Sequence, residues 1–226
     1  MSVKLSVRSA APLAAFLLVA ACSASESTPK TVQSSAGGEV VAAGAVPAFR
    51  LVAEQPGNEA RYRVREQLVG HDLENDAVGV TPGVTGEILF AEDGTVIPEG
   101  SKLTIDVTAL KSDQARRDNY VRTRLLETAK FPAVVFEPNF VRGAPKTLPP
   151  SGSTAFSLLG NLTVKGVTRP ATWFVSAKFS PTSVTGTAST SFTFADFGIP
   201  QPRVPVLLSV ADTIKLEYDY NFAVKK

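Results

Sequence analysis

The sequence predicts an all-β domain of about eight antiparallel strands with one short helical insertion. Two observations support this fold class. Apolar residues recur at every second position in several stretches, and turn signals such as Glu92-Asp93-Gly94 and Lys165-Gly166 separate those stretches. Alternate residues of a strand point to the same face, so each stretch has one face for the interior and one for solvent.

Eight stretches carry this alternation: 60–68, 84–91, 102–110, 133–141, 154–163, 171–179, 184–194 and 213–222. In 102–110, Leu103, Ile105 and Val107 share one face, and the other face is threonine and aspartate. The second face of 184–194 is serine and threonine throughout, which is typical of a surface in contact with water. Each strand is therefore expected to bury only one face.

One helical segment is predicted between the strands, at residues 112–128. It is rich in arginine and leucine, and Ser112 or Asp113 is available as an N-cap. Pro132 is expected to end it, because the residue before a proline avoids the α region.

Residues 1–21 have the features of an export signal peptide. Lys4 and Arg8 form a basic start, an apolar run follows, and Ala20 and Ala21 supply small residues at its end. The run is too short to cross a bilayer core of about 30 Å as a helix. We therefore predict export and removal of this segment.

Cys22 directly follows the small residues and is the only cysteine of the chain. Val19-Ala20-Ala21-Cys22 resembles a bacterial lipobox, in which the cysteine receives a lipid and becomes the mature N-terminus. The alternative is an incidental cysteine beside an ordinary signal-peptidase site. We predict lipidation at Cys22, and hence a protein of the cell envelope, anchored to a membrane and facing the periplasm or the exterior.

Residues 22–57 are predicted to be the lipidated cysteine and a flexible tether. Serine, threonine, glycine and alanine dominate the early part, which has no apolar periodicity. The strand-rich domain is assigned to 58–226, although apolar residues return at Phe49 and Leu51 and leave an earlier start open.

The charges of the domain nearly cancel. The chain has 23 Lys and Arg against 21 Asp and Glu, and two of the basic residues, Lys4 and Arg8, belong to the leader. Nucleic-acid binding requires a dense basic face, so no nucleic-acid partner is expected.

The sequence offers no catalytic or metal-binding constellation. His71 is the only histidine, and no G-x-S-x-G nucleophile motif occurs. A typical zinc site needs three or four nitrogen or sulfur ligands, which a lone histidine cannot supply. We predict that the protein is not an enzyme and holds no metal, with His71 in a loop or at a strand edge.

Strands with one apolar face form either a sandwich or a closed barrel. Gly186 and Ala188 bear on how the interior is filled, because small residues on an inner face leave space. Large side chains from across the fold can fill that space, so a hollow and a solid interior both stay open.

Four stretches of sequence carry a resemblance to a known family: GEILFAEDGTVIPEGSKLTIDVTALKSD, RRDNYVRTRLLETAKFPAVVFEPNFV, GNLTVKGVTRPATWFVSAKF and TSFTFADFGI. These stretches resemble the polyisoprenoid-binding YceI-like family in their order and in three motifs. The motifs are an Arg-Asp before a short helix, a Phe-Pro before a strand and a final Asp-Phe-Gly. The chain departs from the commonest form at Asn119, where many relatives have histidine, and in the proline-rich loop 142–153.

The resemblance implies an antiparallel, lipocalin-like, eight-stranded β-barrel whose tunnel holds a long isoprenoid or similar amphiphile. No cofactor is expected apart from a bound isoprenoid or quinone. The expected partners are that apolar lipid and the membrane that holds the acyl anchor. The oligomeric state stays open, a homodimer included.

Candidate ligand-binding residues lie on the inward faces of the predicted strands: Leu103, Ile105, Val107, Phe136, Trp173, Val175, Phe192 and Phe194. An apolar chain buried among them gains roughly 0.8 kcal/mol per methylene. The alternative is a structural or interaction protein whose barrel is filled by its own side chains and binds no ligand.

The arginines of the helical segment have more than one interpretation: Arg116, Arg117, Arg122 and Arg124. Guanidinium groups at a barrel mouth can hold an acidic head group or contact anionic lipids. They can equally form a solvated helix face, paired with the carboxylates of the same segment.

Overall fold

The computed structural model describes residues 46–226. The predicted signal peptide, Cys22 and the first part of the predicted tether lie outside these residues. The strands are β1 (Phe49–Ala53), β2 (Glu59–Leu68), β3 (Asn75–Thr81), β4 (Val84–Phe90), β5 (Val96–Asp106), β6 (Ala133–Arg142), β7 (Gly152–Val164), β8 (Val167–Phe179), β9 (Ser183–Thr193) and β10 (Leu207–Lys225).

Two short helical pieces connect strands. Helix α1 (Ala115–Tyr120) continues as a π-helical turn (Val121–Leu125) between β5 and β6, and a 3-10 turn (Phe194–Phe197) follows β9. None of the helices within the described residues is long and apolar enough to span a bilayer.

The ten strand segments build an eight-stranded antiparallel barrel. β1 and β2 both run along β10, as one interrupted strand, and β3 and β4 run back along β2 and β1 as a second. Pairing then continues in chain order from β4 to β10, which returns to β1 and β2. The sheet therefore closes on itself, and the predicted lipocalin-like barrel with one helical insertion is confirmed.

A buried amide holds the interruption between β1 and β2. The Asn58 side chain donates from Nδ2 to the carbonyl oxygens of Glu54 and Asn221, at 2.7 and 2.9 Å. Its Oδ1 accepts hydrogen bonds from the Tyr218 hydroxyl and the Asn221 N–H. Asn58 thus uses all four of its hydrogen-bonding positions, which removes the cost of burying an amide and fastens the first strand to the last.

Arginines on the outer face of β2 cross to both neighbouring strands. Arg61 pairs with Asp219 of β10, and Arg63 lies 3.3 Å from Glu217 of β10 and 3.0 Å from Asp76 of β3. Exposed pairs of this kind contribute at most about 1 kcal/mol each. These arginines are more informative about orientation than about stability. Because they face outward, the alternate residues of β2 face the interior.

The eight predicted strands all occur, with differences at their ends. β5 begins at Val96 and ends at Asp106 rather than covering 102–110, so Val107 and Ala109 follow the strand. Val107 is still buried, whereas Ala109 is exposed because the chain turns away there.

The prediction lacks β1 and β3. β1 falls within the range 22–57 assigned to the tether, so the barrel begins at Phe49 and not at 58. In β3 the buried positions are Ala77, Gly79 and Thr81, which are small or polar and give no apolar alternation.

The helical segment is shorter than the predicted 112–128. Ser112 does not cap the helix through its first turn. Its hydroxyl and its N–H both donate to the Asp118 carboxylate, at 2.6 and 2.8 Å. The helical part ends at Leu125, so Pro132 precedes β6 instead of ending the helix.

The predicted turn between β7 and β8 occurs. Lys165 and Gly166 form a two-residue hairpin with φ of 51° and 76°, the left-handed values that such a turn requires. A second chain reversal follows β9, where the Asp196 carboxylate accepts hydrogen bonds from the N–H and hydroxyl of Thr193 and Phe197 is buried.

Candidate functional site

The interior of the barrel is hollow. A cavity of about 950 Å³ is walled by the inward side chains of the strands, by the helical segment and by the loop before β10. This volume lies near the upper end of the roughly 300–1,000 Å³ typical of small-molecule sites. A barrel filled along its whole length by its own side chains would leave no such space.

The cavity is closed at the end where β1 begins. Leu51, Ile88, Val184 and Phe222 line it there, and all four are buried. We call this the closed end.

The space left by Gly186 is filled. A Cβ at this position would lie 1.9 Å from the Ser176 carbonyl oxygen and 2.7 Å from Tyr220 Oη, so only glycine fits between them. The Tyr220 hydroxyl donates to the same carbonyl at 3.0 Å. Ala188, nearer the other end of the barrel, lines the open cavity. The two small residues therefore differ: one makes room for a tyrosine and the other leaves space.

The opposite end is the mouth of the cavity. Four connections meet there, at 69–74, 107–132, 165–166 and 194–206. They contribute the exposed members of the lining, among them Val69, Arg124 and Val206. Because exposed lining residues occur where a cavity meets solvent, these connections mark its opening.

The eight residues predicted to bind ligand all line this cavity. Leu103, Phe136 and Trp173 are buried, and the rings of Phe136 and Trp173 lie 5.8 Å apart. Val107 follows β5 and Phe194 opens the 3-10 turn, so neither belongs to a strand. Contact of the eight with a ligand stays a prediction.

A buried carboxylate interrupts the apolar wall near the mouth. Glu66 of β2 is 6% exposed and accepts a hydrogen bond from Arg117 Nη2 at 2.6 Å. Arg117 also pairs with Asp113, so one guanidinium faces two carboxylates. The charge of Arg117 is therefore already matched, and no excess positive charge faces the cavity at this point.

Tyr62 lies on the same inward face of β2 as Glu66. Its ring packs over Gly79 of β3, where a Cβ would come within 2.2 Å of the ring. Burial raises the pKa of Tyr62 to about 12. The hydroxyl stays protonated at neutral pH and can donate a hydrogen bond into the cavity.

The other arginines of the helical segment differ from Arg117. Arg122 donates to the carbonyl oxygen of Leu110 at 2.9 Å. Arg116 and Arg124 are exposed, line the mouth and form no ion pair within residues 46–226. The predicted pairing with local carboxylates thus holds for Arg117 and Asp113 only.

His71 lies in the turn between β2 and β3 and is exposed. Its backbone N–H donates to the carbonyl oxygen of Leu68 at 3.1 Å. Within the described residues no three histidine, cysteine, aspartate or glutamate side chains come close enough to hold a metal ion.

Two parts of the site were outside the sequence prediction. The helical segment supplies Tyr120, Val121 and Leu125 to the wall, and no local pattern tells that this face turns inward. Glu66 could have been predicted from the sequence, because it is a carboxylate that follows Tyr62 and Val64 on the otherwise apolar inward face of the strand.

A closed antiparallel barrel of eight strands around an apolar cavity with one mouth defines a lipocalin-like protein. The YceI-like domain matches residues 59–222. The chain belongs to the YceI-like family, as the sequence motifs indicated.

Solved structures agree with this fold. A polyisoprenoid binding domain from Saccharophagus degradans superposes with a TM-score of 0.55 at 12% identity, covering 80% of this chain and 100% of that one. Burkholderia cenocepacia BcnA gives a TM-score of 0.54 at 15% identity, covering 75% and 96%. The Campylobacter jejuni YCEI protein gives 0.52 at 13%, covering 70% and 91%. Among curated protein sequences, none matches significantly.

The Glu66–Arg117 pair generates a test of the polar group at the mouth. Arg117→Gln should lower the free energy of unfolding by about 3 kcal/mol, because it leaves the buried carboxylate without its partner. Glu66→Gln combined with Arg117→Gln should recover most of that loss. Urea unfolding of the single and double variants measures both values, and equal losses in the two would contradict a buried, mutually dependent pair.

Proposed function

We propose that the protein is an envelope lipoprotein that binds a long apolar lipid of the isoprenoid type inside its barrel. The observation that carries this proposal is the cavity of about 950 Å³, apolar along its wall and open at one end. Water gains few hydrogen bonds against such a wall, whereas an apolar chain gains roughly 0.8 kcal/mol per buried methylene. Transfer of a chain from water into the barrel is therefore favourable with little polar help.

The cavity volume bounds the length of the chain that fits. At about 30 Å³ per non-hydrogen atom, the share of a water molecule in the liquid, a volume of 950 Å³ accommodates on the order of 30 such atoms. That corresponds to about six five-carbon isoprene units. A longer tail would extend through the mouth, since the closed end is sealed by Tyr220 and Phe222.

The polar end of the ligand belongs at the mouth. Tyr62 offers a protonated hydroxyl there, and Arg117 is already neutralised by Glu66 and Asp113. This arrangement favours an uncharged head group that accepts hydrogen bonds, such as the carbonyl of a quinone. A head group carrying a full negative charge would face the Glu66 carboxylate, whose own partner Arg117 is already paired with two carboxylates.

Binding accounts for the site better than catalysis does. Glu66 and Arg117 are engaged with each other, and His71 lies in an exposed turn rather than deep in the cavity. A general base needs a reacting proton within hydrogen-bond reach and a partner that orients it. The fold similarity to a domain named for polyisoprenoid binding also supports a lipid ligand.

Filling the cavity tests lipid binding. Ala188→Phe places a ring in the space that the lipid would occupy, so it should weaken uptake of an isoprenoid quinone at least about tenfold while leaving the fold intact. Trp173 is the only tryptophan of the chain and lines the cavity, so quenching of its fluorescence by the quinone reports uptake.

Ser189→Phe is the matched control, because the neighbouring residue faces outward from the same strand. It should take up the quinone as the unaltered chain does. Absence of quenching in the unaltered chain, together with a loss of about 1–3 kcal/mol of stability in Ala188→Phe, would indicate a solid interior and refute the proposal.

The proposed lipid anchor is tested at Cys22. Acyl chains hold a soluble domain on a membrane through roughly 0.8 kcal/mol per buried methylene. Cys22→Ala should therefore move the protein from the membrane fraction of its host to the soluble fraction, as followed by immunoblotting. Ser23→Ala, at the next residue, serves as the control and should stay with the membrane. Unchanged membrane association of Cys22→Ala would refute lipidation.

A further inference from the structure

Large apolar side chains are exposed around the mouth. Leu73 is 80% exposed in the turn between β2 and β3, and Leu208 is 60% exposed at the start of β10. Val69 and Val206 are also exposed, and the backbone N–H of Val69 donates to the carbonyl oxygen of Val206 at 2.9 Å, which brings the two connections together. We call these four exposed residues the apolar rim.

The apolar rim continues into the cavity. Val69 and Val206 belong both to the rim and to the cavity lining, together with Leu68 and Leu207, which pair between β2 and β10. An apolar chain that leaves the cavity therefore meets apolar side chains up to the outer surface. Contiguous exposed apolar surface on a soluble domain marks a contact site.

Unpaired positive charge flanks the apolar rim. Arg116 and Arg124 on the helical segment, and Arg203 in the loop before β10, are exposed and pair with no carboxylate within residues 46–226. By contrast Glu74, beside Leu73 in the first connection, is paired with Arg65.

Asp113, on the same side of the mouth, is paired with Arg117. Asp72, next to Leu73, is an exposed carboxylate without an ion pair in the described part of the chain. Asp118 and Asp196 also lack an ion pair there, and their carboxylates accept hydrogen bonds from Ser112 and Thr193. The cations without an ion pair in these connections are Lys111, Arg116, Arg122, Arg124, Lys130 and Arg203. Six such cations against three aspartates leave the mouth with excess positive charge.

We infer that the apolar rim docks on an anionic lipid bilayer, with the leucines entering the head-group region and the arginines binding lipid phosphates. Apolar side chains gain by insertion at the interface, and each arginine near an anionic surface adds attraction. The mouth would then face the membrane, so that a ligand chain passes between bilayer and cavity without crossing water. The purpose of this docking rests on the proposed lipid binding, whereas its physical basis is the apolar rim and the arginines that flank it.

Docking at the mouth is distinct from any anchor at the N-terminus. β1 begins at the closed end, where Phe49 pairs with Phe90. The chain then runs along β1 and β2 towards the mouth, which lies beyond Leu68. A tether that precedes Phe49 therefore joins the barrel at the end opposite to the rim.

A single label at the rim tests the inference independently of the anchor. Cys22→Ala removes the only cysteine of the full chain, and Leu73→Cys then provides one site for an environment-sensitive fluorophore. On addition of vesicles of equimolar phosphatidylglycerol and phosphatidylcholine, this label should shift to the blue and become shielded from iodide. A label at Phe174→Cys is the matched control, since Phe174 is 67% exposed on the outer wall of β8, and should stay accessible.

The arginines give a second readout. Arg116→Gln and Arg124→Gln should each weaken the binding to these vesicles about fivefold. High salt should weaken the binding of the unaltered chain more than it weakens the binding of the double variant. Equal iodide access of the labels at 73 and 174 with vesicles present would overturn the inference. Shielding at 73 without vesicles that grows with protein concentration would also overturn it, because the rim would then bind a second copy of the chain.

Uptake of quinone from solution separates this inference from the proposed function. When quinone is added without vesicles, it should quench the Trp173 fluorescence of the Leu73→Cys chain as it does that of the unaltered chain. Failure of that quenching in every chain would refute lipid binding, yet the labels would still report whether the rim docks.

Discussion

Closure of the barrel between its first and last strands is the constraint on which the site depends. β10 pairs with β2 between Leu207 and Asp219 and with β1 between Phe222 and Lys225, and only this double pairing turns an open meander into a tube. Closure removes both free edges of the sheet and leaves a wall one strand thick, so alternate residues necessarily face an enclosed space. Asn58 and Tyr218 secure the closure from inside the wall, where a misaligned register would leave a buried amide unsatisfied.

The two ends of this tube are built differently, and the difference gives the cavity its direction. Tyr220, Phe222 and the glycine gap at Gly186 make a packed end, in which burial raises the pKa of Tyr220 well above its usual range. The other end is spanned by long connections that carry charged and exposed apolar residues. An unfilled interior forfeits packing energy. The packed end and the pairing of β10 with β1 and β2 supply the stability that such a hollow fold needs. A bound apolar chain would restore the packing contacts that the empty interior lacks.

Much of this arrangement is readable from the sequence, because side chains alternate with period two along a strand. Leu103, Phe136 and Val175 could be assigned to the inner face without any knowledge of which strands are neighbours. β3 could not, since its inward residues are small and its valines face outward, and β1 is too short for its pattern to stand out. The helical wall was also out of reach. Arg117 meets Glu66 across fifty-one positions of sequence, and no local propensity predicts a contact of the helix with β2 over that distance. Which end of the tube is open depends on loops whose course no periodicity predicts.

Native mass spectrometry detects whether the barrel holds an apolar lipid in its hollow interior. Protein purified from its own host without detergent is measured before and after extraction with organic solvent. A lipid-filled barrel should show one additional mass per chain, which is lost on extraction and recovered as an apolar lipid in the solvent. A single species at the mass of the bare chain, unchanged after incubation with an isoprenoid quinone, would contradict it.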